Sequence, residues 1–196
     1  MSLQVFTEVE VPAQTVLFFR ERAKQKIQAE KWNERDQDLK AFNFVKSWIS
    51  EFAWKTLLEA RKARYKWADT YVGNVEDAPL DFRMWFGGVE RTVGIRSREL
   101  KDLQRWLEVP YPDDRVRMEE TNRIEDFTII ASISFENDGA AKVRLYGAVE
   151  KDPFIQVLKQ TYRKMSPAQQ EYFRPVALRH FNYNLMLKLL KEADTK

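Results

Sequence analysis

The chain has 196 residues, 44% hydrophobic and 32% charged, which suits one globular domain with its own core. It has no cysteine and a single histidine, His180, so disulfides, thiolate nucleophiles and Cys-ligated zinc are excluded, and metal chemistry falls to carboxylates, which suit magnesium. The net charge of +3 is uneven: residues 20–66 carry thirteen basic and seven acidic side chains, residues 154–196 eight and three, and residues 118–153 four and eight. Basic ends are compatible with phosphate backbones and equally with two solvated helix faces.

No apolar run approaches a membrane span, and residues 1–16 lack the basic start of a signal peptide, so the expected compartment is the cytoplasm. Residues 12–66 read as helix, in one or two pieces. From Ala41 onward Phe44, Val45, Trp48, Ile49, Phe52 and Leu57 recur at three and four. Arg61, Lys62, Arg64 and Lys66 crowd the end of that helix, where cations suit its dipole. Gly, Asn, Asp and Pro in residues 72–79 indicate a loop.

A hairpin is expected next, with strands over 81–86 and 89–97 and Gly87-Gly88 as its turn. Val89, Val93 and Ile95 share one parity; Glu90, Thr92, Gly94, Arg96 and Arg98 share the other. A short helix over 98–107 follows, then a turn at Tyr111-Pro112-Asp113-Asp114. Strands are expected over 127–135 and 142–149, turned by Asn137-Asp138-Gly139. Asp152-Pro153 opens a helix to about Lys164, and Ser166-Pro167 opens a last one to about Glu192, kinked at Pro175. The order predicts a mixed sheet covered by helices.

Three stretches carry a resemblance. They are Ser50-Glu51-Phe52-Ala53, Leu80-Asp81-Phe82-Arg83 and Val93-Gly94-Ile95-Arg96-Ser97-Arg98, followed by the strand-like Asp126-Phe127-Thr128-Ile129-Ile130 and Val143-Arg144-Leu145-Tyr146-Gly147-Ala148-Val149. In order and spacing they resemble the core of the PD-(D/E)XK, or restriction-endonuclease-like, nucleases over residues 44–150. The resemblance implies an α/β fold with a mixed central sheet flanked by helices. Residues 1–43 and 151–196 would be helical additions to that core, in a single domain over 1–196. It also implies a magnesium site, with Asp81 as the first strand carboxylate and Glu51 as the helix carboxylate. Phosphodiester cleavage needs such a metal-activated water and a cation near the developing charge.

The chain departs from the pattern at two positions. Gly94 stands where a second carboxylate belongs, and Arg96 stands where the lysine belongs. Arginine keeps the charge but cannot act as a tunable base. Glu90 and Glu99 are the candidates for a displaced metal ligand; Arg96 would then stabilise the leaving charge. Arg61, Lys62, Arg64, Lys66, Arg96 and Arg98 are the candidate nucleic-acid contacts.

Each residue also has an ordinary structural reading. Asp81 could pair with Arg83 or Arg91, and Glu51 with Lys55 on a helix surface. Arg96 and Arg98 could be solvated edge residues, and Gly94 a bulge or close-packing position. His180 and the tryptophans Trp48, Trp54, Trp67 and Trp85 read as packing residues. The expected function is therefore a nucleic-acid-associated protein, binding DNA and cleaving it weakly or not at all. The alternatives are a non-enzymatic interaction protein, such as a homodimer, and an active magnesium-dependent endonuclease with a displaced carboxylate.

Overall fold

The computed structural model describes residues 5–29, 37–67, 81–113, 124–166 and 171–196. The loop expected at 72–79 lies outside them. Helices and strands are interspersed along the chain, and the fold is mixed α/β. No helix among the described residues is long and apolar enough to cross a membrane.

Strand β1, Thr7–Val11, precedes the helical region and has no counterpart in the sequence reading. Its sequence TEVEV alternates, with Val9 and Val11 buried and Glu8 and Glu10 at the outer parity. Helices α1, Ala13–Ala29, and α2, Gln37–Ala60, are the two expected pieces, but α2 ends before Arg61, Lys62, Arg64 and Lys66, which lie beyond the helix rather than in it. Helix α2 buries Val45, Trp48, Ile49, Ala53, Trp54 and Leu58, each large side chain contributing roughly 1.5–3 kcal/mol. It is followed by the short strand β2, Tyr65–Trp67.

The hairpin forms as expected. Strand β3, Phe82–Phe86, runs antiparallel to β4, Val89–Glu99, with Phe82 opposite Val93 and Phe86 opposite Val89. Gly87 (φ 57°) and Gly88 (φ 79°) both occupy the left-handed region that a two-residue hairpin turn demands. Helix α3, Leu100–Trp106, leads to strand β5, Glu108–Pro112, where the sequence suggests only a turn. Strands β6, Phe127–Phe135, and β7, Ala141–Glu150, match expectation, and helix α4, Lys151–Gln160, follows.

The C-terminal third corrects the sequence reading. Helix α4 ends at Gln160, and the segment expected as one helix from Ser166 to Glu192 instead supplies two strands, a 3-10 turn and a shorter helix. These are β8, Lys164–Ser166, β9, Glu171–Ala177, the 3-10 turn Leu178–His180, and α5, Tyr183–Glu192. Pro175 does not kink a helix. It lies in β9 opposite Pro110 of β5, past the last residue of β9 that pairs with β8. A proline fits a strand where no neighbour needs its N–H. The cap that starts α5 is Asn182, whose side-chain oxygen accepts from the Asn184 and Leu185 amides. His180 sits in the 3-10 turn, and burial and then Arg179 lower its pKa.

The main sheet has the order β1-β7-β6-β4-β3-β2, and β4 and β6 are its parallel pair. A second sheet has the order β5-β9-β8. One face of the main sheet presents Val93, Ile95, Ile129, Ala131, Ile133, Val143 and Leu145 to α1, α2 and α5. The other presents Ile130, Tyr146 and Val149 to Leu103, Val109, Tyr111, Phe154, Leu158 and Val176. Tyr146 follows Leu145 onto the second face by alternation and is the extra residue of a register shift, since Ile130 pairs with Gly147 but Ala131 with Leu145. Its hydroxyl is then satisfied by Ser132 at 2.9 Å.

The chain end is tied to the hairpin. The Asp194 carboxylate accepts from the Gly87 amide at 2.7 Å and the Gly88 amide at 2.8 Å, and its own amide donates to the Trp85 carbonyl. Asp194→Ala removes two charge-assisted bonds at a partly solvated turn. It is expected to lower unfolding free energy by about 1–3 kcal/mol, read from the urea midpoint.

Candidate functional site

The site follows from unequal strand lengths. The pairing of β3 with β4 stops at Phe82 and Val93, whereas β4 continues to Glu99 alongside β6. Beyond Val93, the β3 side of β4 therefore has backbone groups to satisfy. Asp81, the residue before β3, meets that need: its Oδ2 accepts from the Ile95 amide at 2.6 Å. The same oxygen accepts from Arg96 Nη1 at 3.2 Å.

Gly94 and Arg96 share the face opposite Val93 and Ile95, as alternation requires. Arg96 reaches two carboxylates. Its Nη1 bonds Asp81, and its Nη2 lies 2.5 Å from Glu125 Oε1. Nη1 also donates to the Ile95 carbonyl at 3.0 Å, and the guanidinium lies 5.6 Å from the Tyr111 ring centroid. The side chains are 14% exposed for Arg96, 13% for Asp81 and 0% for Glu125, so this is a buried network rather than a surface pair. Burial opposes the Arg96 charge, but Glu125 and Asp81 outweigh it and raise its pKa above the ordinary value.

Glu125 also explains Gly94. A Cβ at position 94 would sit 2.5 Å from Glu125 Cδ and 2.6 Å from its Oε1. The carboxylate from the entry to β6 thus overlies the place where a side chain from β4 would begin. Gly94 is a close-packing position, one of its ordinary structural readings.

Glu51 approaches from α2. It is 2% exposed; its Oε2 accepts from Trp67 Nε1 at 2.8 Å and its Oε1 from Ser47 Oγ at 2.9 Å. Burial first, and the charge of Asp81 second, push its carboxyl up to about 8; the bonds from Trp67 and Ser47 and the charge of Arg96 act the other way. Trp67 is therefore more than packing: its ring stacks on Phe82 at 6.0 Å while its N–H positions Glu51.

No protein-family model matches the chain, and no curated protein or solved structure matches it either. The site must be read from its own chemistry.

The structure brings together Glu51, Asp81 and Arg96, which are far apart in sequence. It does not bring Glu90 or Glu99 to them. Glu90 pairs with Arg83 at 3.5 Å near the turn of the hairpin, and Glu99 pairs with Lys101 at 3.0 Å at the far end of β4. Strand β4 does reach Glu99, but alternation puts that residue on the parity of Val93 and Ile95. Among the described residues, no group of three or more acidic or histidine side chains is arranged to hold a metal ion.

Several ordinary readings also fall. Asp81 pairs with Arg96 rather than with Arg83 or Arg91; Arg91 faces Asp126 at 3.8 Å. Glu51 is buried, and Lys55 pairs with Glu59 at 3.0 Å. Arg96 is buried in its ion pairs, and Arg98 is half-buried, its Nη1 donating to the Glu108 carbonyl at 2.7 Å. Arg61, Lys62, Arg64 and Lys66 are exposed, with the Arg64 guanidinium 4.5 Å from the Trp85 ring centroid. Sequence reasoning misses Glu125. Its only local signal is an acidic residue two positions before an apolar strand.

Two outcomes are expected. Gly94→Ala should lower unfolding free energy by about 1–3 kcal/mol, because the buried Glu125 must move away from Arg96. The loss should shrink when Glu125→Ala is already present, a coupling that urea unfolding of the four variants measures. The second concerns pH. Glu51 has a folded pKa near 8 against an ordinary 4.5, so the folded chain holds the extra proton in that window. Its stabilising contribution is full below the lower value and lost as pH rises through the upper one. Wild type should lose stability across that window, and Glu51→Gln should show a flatter profile of melting temperature against pH.

Proposed function

We propose that this protein binds nucleic acid through its basic rim, on a nuclease-like core of the PD-(D/E)XK kind whose metal site is degenerate, so that magnesium-dependent cleavage of plain duplex DNA is weak or absent. The observation that carries this reading is the cation between Asp81 and Glu125: it is the guanidinium of Arg96. Asp81 bonds Arg96 of the 94–96 strand, and its charge acts on the buried Glu51 of α2; this nearness supports the nuclease-like reading of the core. The chemistry differs. A guanidinium offsets negative charge but cannot activate a bound water or act as a base near neutral pH. Glu51 already accepts from Trp67 and Ser47 with its two oxygens, and burial disfavours the charged form that a hard cation needs.

Binding falls to other cations. Arg96 is held in its ion pairs and Arg98 by a backbone carbonyl, whereas Arg61, Lys62 and Lys66 are exposed together at the end of α2 and on β2. Arg64 lies beside them over Trp85. Such a rim meets phosphates without reading bases.

Fluorescence anisotropy with a labelled duplex tests the binding. Affinity should fall steeply with salt, and Arg61→Ala/Lys62→Ala/Lys66→Ala should reduce the log–log slope by about 0.9 for each phosphate no longer neutralised. No binding at low salt would overturn the reading in favour of a protein-interaction scaffold. Plasmid incubation with magnesium or manganese should leave the DNA intact. Strong cleavage by wild type that Asp81→Ala abolishes would show an active endonuclease instead.

A further inference from the structure

The turn between β3 and β4 already holds an anion. Gly87 and Gly88 both have positive φ, and their consecutive amides converge on one carboxylate, each donating to a different oxygen of Asp194 at 2.7 Å and 2.8 Å. Consecutive amides set in this way form a concavity that takes carboxylates and phosphates alike. The turn is exposed, and a Cβ built at either glycine would meet nothing within 4 Å, so an incoming anion has access. Cations gather at the same place. Residues 62–64 run beside residues 194–196: the Arg64 amide donates to the Asp194 carbonyl, Ala63 bridges to Thr195, and the Lys196 amide donates to the Lys62 carbonyl at 3.0 Å. The Arg64 guanidinium lies over the ring of Trp85, two residues before Gly87, and Lys196 Nζ lies 4.9 Å from the Tyr65 ring centroid. Lys62, Arg64 and Lys196 are all exposed, so the Asp194 carboxylate sits in the turn within a group of solvent-facing positive charges.

We propose that the Gly87-Gly88 turn is a phosphate site on the basic rim, and that the Asp194 carboxylate occupies it until a phosphate takes its place. This rests on the reading of the rim as phosphate-binding, and adds to it the backbone donors that take part and the group that competes for them. Asp194 makes the two charge-assisted bonds that two phosphate oxygens would make. A phosphodiester carries the same single charge as the carboxylate, but its neighbours on a strand engage Lys62, Arg64 and Lys196 at the same time, which a lone side chain cannot do. Rotation of the Asp194 side chain is enough to clear the turn, because the backbone bonds between residues 194–196 and 62–64 do not involve the carboxylate. While Asp194 fills the turn, the apparent affinity for phosphate is reduced by the fraction of time the amides are free.

Selective isotope labelling of glycine leaves six amide signals to follow by nuclear magnetic resonance. Pyrophosphate is the probe, and acetate at equal ionic strength is the control. In Asp194→Ala the Gly87 and Gly88 signals should move with pyrophosphate, saturating at a concentration about tenfold or more below that needed by wild type, while the remaining glycine signals stay in place. Should Asp194→Ala fail to fold, Asp194→Asn keeps one amide acceptor without the charge, and the same two signals should respond at a concentration about threefold below wild type. A labelled duplex at low salt should move the same two signals in wild type, and Asp194→Ala should steepen the log–log salt slope by about 0.9, one further phosphate neutralised. The proposal is overturned if the two signals in the folded variant ignore pyrophosphate, if wild type responds at the same concentration as the variant, or if acetate is as effective as pyrophosphate. A pyrophosphate response without any duplex binding supports the site, assigns it to free phosphate, and overturns the nucleic-acid reading of the rim, so the two readings fail separately.

Discussion

A guanidinium removed from water must find compensating charge, and the centre of this fold is arranged around that requirement. Arg96 is largely buried on β4, and Asp81 and Glu125 supply two negative charges from the entries to β3 and β6. Taking away one member of such a buried network leaves an uncompensated charge and costs on the order of 3–5 kcal/mol. Three strands are thereby pinned at one point. Asp81 does so twice over, because the oxygen that meets Arg96 also receives the Ile95 amide that β3 leaves unpaired.

The same constraint sets the small residue beside it. Glu125 can reach Arg96 only across Gly94, where any Cβ would intrude. Tyr111, from the second sheet, closes the site with its ring near the guanidinium. The charged network therefore lies between two apolar clusters, one under α1, α2 and α5 and one under the β5-β9-β8 sheet. Glu51 belongs to the first side. Burial and the charge of Asp81 disfavour its charged form beside a network that already holds two carboxylates and one guanidinium.

Where local signals are strong, the sequence can be read directly. Two consecutive glycines between alternating strands specify a tight hairpin, and both adopt the positive φ values such a turn requires. The spacing of Val45, Trp48, Ile49 and Phe52 gives α2 its buried face. The C-terminal segment misleads because Ser166-Pro167 resembles a helix start and apolar residues beyond it recur at helical spacing. Strand β9 forms instead because β5 and β8 lie on either side of it, and neither neighbour is visible locally. Strand β1 escapes notice because five residues of alternation are short beside the long helical pattern that follows.

By itself the sequence determined the α/β class and the hairpin, and a resemblance directed attention to Asp81 and the 94–96 strand. The class and the hairpin rest on periodicity and turn residues, which act over a few positions. The tertiary structure alone decided which carboxylates meet there. Glu90 and Glu99 lie close to Arg96 in sequence but are carried along the strand to its opposite ends, while Glu125, twenty-nine residues away, arrives beside it. The physical reason is the parallel pairing of β4 with β6. A parallel pair needs a long crossover, and no local pattern reveals its register.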